Sequence, residues 1–529
     1  MPDDKARHSN ANRSAEETYN ELMNGSLLSL RQRLLEDQAF AGLVEGHVDA
    51  GEDADPSILV GAPNGIRPAL AASADRKPVV IVVPSGREAE DLVGDLRSWY
   101  DGDPNEVAQL MAWETLPHER LSPRADTVAN RMETFYRLCH PQSDSEMFGP
   151  IRILVMPVRS LIQPVVAGIG DVKPLVFAQG EEITLEDAVQ GLVRNSYTRV
   201  DLVMDRGEFA VRGGILDVFP PTAPHPVRIE FFGDEIDTIK EFHASDQRTY
   251  GDGLKTIWAT ACRELQLTDA VRTRAKALVG SIPNAEDMLE SIANAIPVEG
   301  MESLMPALVD HLEPVGSMLP KHAVILLSDP EKLRRSAEDL AKTANEFLAA
   351  SWHVAGAPIS FDEASFLDYA ETISSLEYSE HPVIRLTSFG VDTTLTGHVQ
   401  LDAQNPAEFR GDEAKASQGI EGLLDAGFHV TITAAAAGTL ARLKRAINTT
   451  GIANFDVIRS QAIDGFVDKA AKIALLTERD LTGRTSAVAV AKTPKRRRKA
   501  IDLVELKKGD YVVHEQHGIG RFIEMRQRT

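Results

Sequence analysis

A chain of 529 residues with 43% hydrophobic and 26% charged side chains has material for roughly three to five globular domains, each with its own core. Its net charge of −23 argues against a protein that coats nucleic acid over its whole surface, and it contains no apolar run of the ~18 residues that a membrane span requires. The polar N-terminus carries no apolar signal segment, and the two cysteines, Cys139 and Cys262, offer neither a disulfide framework nor a zinc cluster and fit a reducing cytoplasm.

Residues 1–25 are polar and poor in aromatics, and are expected to form a disordered tail. Residues 26–171 read as an α/β domain. Leu27 to Val48 has helical apolar spacing. An apolar run ending at Val60 then meets Gly61 and Gly65 in GAPNGIRPAL, where a nucleotide-binding protein has its phosphate loop. Such a loop needs G-x-x-x-x-G-K-[ST], its lysine for the outer phosphates and its hydroxyl for magnesium. Here the spacing, lysine and hydroxyl are absent, and Arg67 and Pro68 stand nearby. The segment is either a plain turn or a degenerate loop. The run VVIVV (Val79 to Val83) predicts a buried strand. It is followed by a helix that Ser85 caps, with Glu88 as the capping-box partner. Strand, polar cap and helix form the repeating unit of a parallel sheet. IRILVMPV (Ile151 to Val158) predicts a second buried strand, and RSLIQPV starts a short helix.

Residues 172–258 read as an inserted α+β domain, with short strands around one helix. GGILDVFP and PVRIEFFGDEIDTIKEF are expected to be two paired strands joined by a Pro-rich loop. Val227, Ile229 and Phe231 alternate with Arg228, Glu230 and Phe232, so one face is apolar and the other carries charge plus one large ring. Residues 259–380 return to helices around one apolar strand, VILLSDPE, in which Pro330 separates Asp329 from Glu331. Residues 381–485 read as an additional α/β domain, with strands VIRLT, HVTITAA and KIALL and a basic helix. Residues 486–504 read as a basic linker around KTPKRRRKA. From Ala491 to Thr529, eleven Lys or Arg face five Asp or Glu. Residues 505–529 predict a strand, a turn holding Gly518 and Gly520, and a second strand opening with Arg521 and Phe522. A small barrel only begun at this point makes the chain read as a fragment. His514 and His517 have ligand-like spacing but no third ligand in pattern, so no metal is expected.

WETLPHERLSPRADTVANRMETFYRL, RGEFAVRGGILDVFPPTAPHPVRIEFFGDEID, KIALLTERDLTGR and LKKGDYVVHEQHGIGRF together resemble the N-terminal half of the bacterial transcription-repair coupling factors, from about residue 55 onward. The first two segments also resemble the damage-recognition helicase UvrB. The resemblance implies an α/β multidomain fold: a UvrB-like split α/β domain around an inserted UvrA-binding domain, a further α/β domain, and an incomplete, CarD-like β-barrel. It implies that Gly61 and Gly65 belong to a lost phosphate loop and that Asp329 and Glu331 are a broken acidic motif. No catalytic residue and no cofactor are then expected in this chain. ATP and magnesium serve a double-stranded-DNA translocase in full-length relatives, and DNA is contacted mainly there. By position, Arg212, Arg228 and Phe232 fall at the family's UvrA contact, residue types common at interface hot spots. The alternative is that the arginines pair locally with Asp217, Glu230 or Asp234. Gly518, Gly520, Arg521 and Phe522 fall in the module that meets the RNA polymerase β subunit, here an incomplete site. The function implied is a cytoplasmic adaptor of transcription-coupled nucleotide excision repair. The alternatives are a divergent UvrB-like DNA-dependent ATPase and a CarD-like transcription regulator.

Overall fold

The computed structural model describes residues 27–49, 57–116, 119–142, 149–282, 285–352, 366–448, 451–452, 454–484, 511–514 and 518–521. The expected tail 1–25 and basic linker 486–504 lie outside them, as do Phe522 and His517. Among the described residues no helix is long and apolar enough to cross a membrane. The chain divides into two units, Met1–Ala487 and Val488–Thr529.

The first unit is built on a seven-stranded, wholly parallel sheet. Its order is His398–Gln400, Ser57–Gly61, Val383–Thr387, Val324–Ser328, Val79–Val83, Ile153–Pro157, Val107–Gln109. Its central strands are apolar on both faces because helices cover both. Val79, Ile81 and Val83 enter one core with Leu30, Phe40, Leu96 and Trp99. Val80 and Val82 enter the other with Val128, Phe135 and Leu161. The Gly86–Trp99 helix starts at Ser85, whose hydroxyl accepts from the Glu88 amide at 3.2 Å. The stretch Leu27–Val48 forms two short helices, Leu28–Leu34 and Gln38–Leu43, and a π turn, Val44–Val48; Asp37 caps the second helix.

The sheet departs from the expected boundary at residue 380. Val383–Thr387 pairs with Ser57–Gly61 and Val324–Ser328, and His398–Gln400 extends the same sheet. The separate α/β sheet begins only at Ala403, in the order Ala403–Gln404, Phe466–Asp468, Ile473–Thr477, His429–Ala434, Asp456–Arg459. It shares a core with the first sheet: Phe466, Ile473 and Leu475 pack among Trp99 and Leu96, with the Trp99 and Phe466 ring centroids 6.3 Å apart.

The inserted segment forms a six-stranded sheet in the order Thr249–Tyr250, Glu235–Phe242, Val227–Phe232, Ile215–Val218, Glu208–Arg212, Thr198–Arg199. PVRIEFFGDEIDTIKEF is therefore a hairpin of two strands, not one strand. It turns at Gly233, whose φ of +65° lies in the left-handed region that glycine tolerates. Phe209, Leu216, Val218, Val227, Ile229, Ile236 and Ile239 line one face, packed on Ala188 and Leu192 of helix Leu185–Arg194. Beyond the insertion, Glu264 anchors the returning chain. Its carboxylate accepts from Arg131 Nε and from the Trp113 indole, each at 2.6 Å, with both charged side chains wholly buried. Such a pair is costly to break because the survivor is left charged and dry.

In the second unit the described residues form one antiparallel hairpin, Tyr511–His514 with Gly518–Arg521. Gly518 and Gly520 are ladder residues, opposite His514 and Val512, rather than turn residues. The second strand starts at Gly518 and not at Arg521. No closed barrel is present among the described residues.

Candidate functional site

The inserted sheet, antiparallel except for its parallel edge pair Thr198–Arg199 with Glu208–Arg212, buries one face and leaves part of the other open. Register shows which residues share that outer face. Arg212 lies opposite Ile215, Ile215 opposite Glu230, and Arg228 opposite Asp217. Directly opposed residues share a face, and alternate residues along a strand do too. Arg212, Arg228, Glu230 and Phe232 are therefore one surface. The irregularity in the hairpin falls between Glu230 and Phe231 in the pairing, where Asp237 is the extra residue on the partner strand. The alternation along Val227–Phe232 survives it, so Phe231 packs inward and Phe232 is 82% exposed.

The three residues differ in freedom. Arg228 is clamped: Nε and Nη2 donate to the two Asp217 oxygens at 2.7 and 2.8 Å, and its guanidinium lies 5.0 Å from the Phe242 ring centroid. Asp217 is buried, so the expected local alternative for this arginine is realised in the fold. The Asp217 hydrogen bond raises the Arg228 guanidinium further above its ordinary value, against the opposing effect of burial. Arg212 is exposed and gives one hydrogen bond, Nη2 to the Asp201 carbonyl at 2.5 Å. Among the described residues no carboxylate pairs with it. Phe232 projects from the end of its strand.

Sequence patterning missed the loop that completes this surface. Leu202 and Met204 are large apolar side chains 42% and 48% exposed, on the segment whose Asp201 carbonyl holds Arg212. Gln247 ties that loop to Arg228. Its side-chain amide donates to the Val203 carbonyl at 3.1 Å and its own carbonyl accepts from Arg228 Nη1 at 3.4 Å. Val203 itself is buried with Ala210, Phe219 and Phe242. The signal available in the sequence was the apolar run Leu202–Met204 in DLVMD, set between Asp201 and Asp205.

The GAPNGIRPAL loop is filled from within. Gly61 ends its strand, and the Gln400 amide donates to its carbonyl at 3.0 Å. A Cβ on Gly65 would lie 2.4 Å from the Gly465 carbonyl oxygen of the second sheet. Arg67 turns into a cavity of about 180 Å³ bounded by Asn64, Asp95, Ser328, Asp329 and Asp464. It donates to Ser328 Oγ at 2.6 Å, Asp329 Oδ1 at 2.9 Å and Ser388 Oγ at 2.9 Å. Burial works to raise the Asp329 carboxyl, but Arg67, aided by Lys332, outweighs it and holds the group below its ordinary value. Glu331 does not join this cavity: it sits on the next helix, exposed, 3.0 Å from Arg334. Among the described residues no cluster of His, Cys, Asp or Glu has the makings of a metal site.

Comparison with known proteins bears on both ends of this description. The family "UvrB interaction domain" matches residues 175–258, and "CarD-like/TRCF RID domain" matches residues 506–529. The Transcription-repair-coupling factor of Mycobacterium tuberculosis is 38% identical over 542 residues, covering 93% of this chain and 43% of the relative. Those of Myxococcus xanthus and Escherichia coli are 28% and 26% identical, covering 91% and 90% of this chain and 43% and 42% of the relatives. The chain thus spans less than half the length of the curated relatives it matches. The chain is similar over nine-tenths of its length to these transcription-repair coupling factors and corresponds to their N-terminal part.

Proposed function

We propose that this chain is an adaptor of transcription-coupled nucleotide excision repair, recruiting UvrA through the open face of the inserted sheet and engaging RNA polymerase through its C-terminal segment. The observation that carries the reading is the shared face of Arg212, Arg228 and Phe232, inside the residues matched as a UvrB interaction domain. In this reading the seven-stranded sheet and the inserted domain are a UvrB-like split module, followed by an additional α/β domain and the start of a CarD-like barrel. Phe232 supplies an apolar anchor. Arg212, positioned by the Asp201 carbonyl, supplies outward donors suited to a carboxylate. Arg228 is the pivot that fixes the face. Gly518, Gly520, Arg521 and Phe522 contribute to the polymerase β-subunit contact. ATP-driven translocation on double-stranded DNA belongs to parts of the relatives that this chain does not span.

We assign no ATP handling to this chain. The charge that magnesium and a phosphate-loop lysine would supply to Asp329 already comes from Arg67, and Gly65 is packed against Gly465. The test is a calorimetric titration of the chain against purified UvrA. Binding that is weakened in Phe232→Ala and in Arg212→Ala supports the adaptor. Equal affinity in both variants rejects the surface. DNA-stimulated ATP hydrolysis by the purified chain, lost in Asp329→Ala, would instead favour the ATPase.

A further inference from the structure

The additional α/β domain carries a second surface, on helix Ala437–Asn448. We propose that the outward face of this helix binds the phosphate backbone of double-stranded DNA. Leu440, Leu443 and Ile447 pin the helix to its sheet, at 1%, 8% and 5% exposure. That leaves Gly438, Ala441, Arg442, Lys444 and Arg445 exposed on the other side. The helix, AGTLARLKRAIN, has three cations and no acidic residue, in a chain of net charge −23.

Among the described residues these cations also have no carboxylate partner. Arg410, Lys415 and Arg479 of the same domain each hold a carboxylate within 4.0 Å. Arg442, Lys444 and Arg445 hold none among the described residues, although the neighbouring helix Glu413–Asp425 carries Glu413, Glu421 and Asp425. Cations gathered on one helix face without a carboxylate partner among the described residues form an electrostatic footprint for a polyanion.

The same face distinguishes DNA from an acidic protein. A protein interface draws its affinity from a few buried aromatic or aliphatic anchors. This helix exposes no large apolar side chain, and its other exposed positions, Gly438 and Ala441, are small. A Cβ added at Gly438 would meet nothing within 4 Å. A smooth, small-residue face lets a sugar-phosphate backbone approach closely enough for arginine to reach two phosphate oxygens at once. Binding would be independent of base sequence and steeply dependent on salt.

The test measures fluorescence anisotropy of a labelled DNA duplex with the chain. The background has Lys495, Arg496, Arg497, Arg498 and Lys499 changed to Gln, so that this separate basic run does not contribute. The parent background is expected to bind the duplex at about 50 mM salt and to weaken at about 200 mM. Adding Arg442→Gln, Lys444→Gln and Arg445→Gln is expected to lower affinity about tenfold or more. It should also flatten the log–log salt slope by about 2.7, the value for three lost phosphate contacts. An unchanged melting temperature shows that the variant is folded; a glutamine version of only Arg442 and Arg445 serves if it is not. Absence of duplex binding by the parent background overturns the proposal, as does an unchanged slope in the variant. Loss of binding to polyglutamate with duplex binding retained also overturns it, and assigns the face to an acidic protein.

Discussion

Arg67 holds Asp329 across the ends of two strands of the seven-stranded sheet, with Nη2 2.9 Å from Oδ1 and the side chains 7% and 13% exposed. Removing the arginine leaves a largely buried carboxylate whose remaining cation, Lys332, is largely solvated. Arg67→Ala is expected to lose about 2–4 kcal/mol of stability at neutral pH. Asp329 is depressed in the folded state, so its contribution is present above the ordinary carboxylate range and disappears as pH falls through the folded value. Thermal unfolding of parent and variant should therefore differ most near pH 7 and converge in acid. A difference that grew on acidification would contradict the assignment.

Phe232 and Arg228 share a face but should fail differently when cut back. Phe232 is 82% exposed, so Phe232→Ala should leave the melting temperature unchanged while weakening UvrA binding by about 1–3 kcal/mol. Arg228→Ala strands Asp217, which is 3% exposed, and should lower the melting temperature of the inserted domain as well. Measuring stability and affinity on both variants separates contact from support. A binding loss in Arg228→Ala with no loss of stability would make Arg228 a direct contact.

The loop ahead of Arg212 belongs to the same surface. Leu202→Ala and Met204→Ala should each weaken UvrA binding by about 0.5–2 kcal/mol without unfolding the domain, since neither side chain is buried. Gln247→Ala removes the tie between Val203 and the Arg228 side and should weaken binding through loop position alone. Titration with UvrA reads all three; full affinity in both the leucine and the methionine variants would confine the surface to the sheet.

The reach of sequence reasoning follows the range of the forces. Val79–Val83, Ile153–Pro157 and Val324–Ser328 were legible because a strand covered on both faces must be a continuous apolar run. Which sheet a strand joins is a matter of distant pairing. Val383–Thr387 looks like the opening of a new domain and is instead the partner of Ser57–Gly61. The shared face of Arg228 and Phe232 was legible from strand alternation. The place of Arg212 on that face required the register across Gly213 and Gly214. The bond from Arg67 to Asp329 joins residues 262 apart, and no local pattern announces it.

Asp95 is buried near the cavity, with Trp99 Nε1 donating to it at 3.0 Å, and burial pushes its carboxyl up to about 7. A carboxyl raised on folding binds its proton more tightly in the native state. Stability is then greatest below the unfolded pKa of about 4 and falls as pH rises to about 7, where the loss levels off. Asp95→Asn keeps an acceptor for Trp99 without the charge. It should raise the melting temperature at pH 8 clearly more than at pH 4, by an amount on the order of a few kcal/mol in stability. Equal shifts at both pH values would mean that Asp95 is not the titrating group.

Gly65 sets how closely the two α/β sheets meet. Its φ is not in the left-handed region, so alanine suffers no backbone strain there; the obstacle is space alone. An added Cβ would lie 2.4 Å from the Gly465 oxygen and 2.5 Å from the Asp464 oxygen, both main-chain atoms that cannot rotate away. Gly65→Ala must therefore push the 464–465 turn off the first sheet, and with it Phe466 from its contact with Trp99. The expected cost is about 1–3 kcal/mol, seen as a lower melting temperature and faster protease cleavage near residue 464. Gly42→Ala is the matched control. It lies in helix Gln38–Leu43, its added Cβ meets nothing within 4 Å, and it should stabilise by about 1 kcal/mol. If both substitutions behaved alike, glycine at 65 would be a matter of helix propensity, and the close approach of the two sheets would not depend on it.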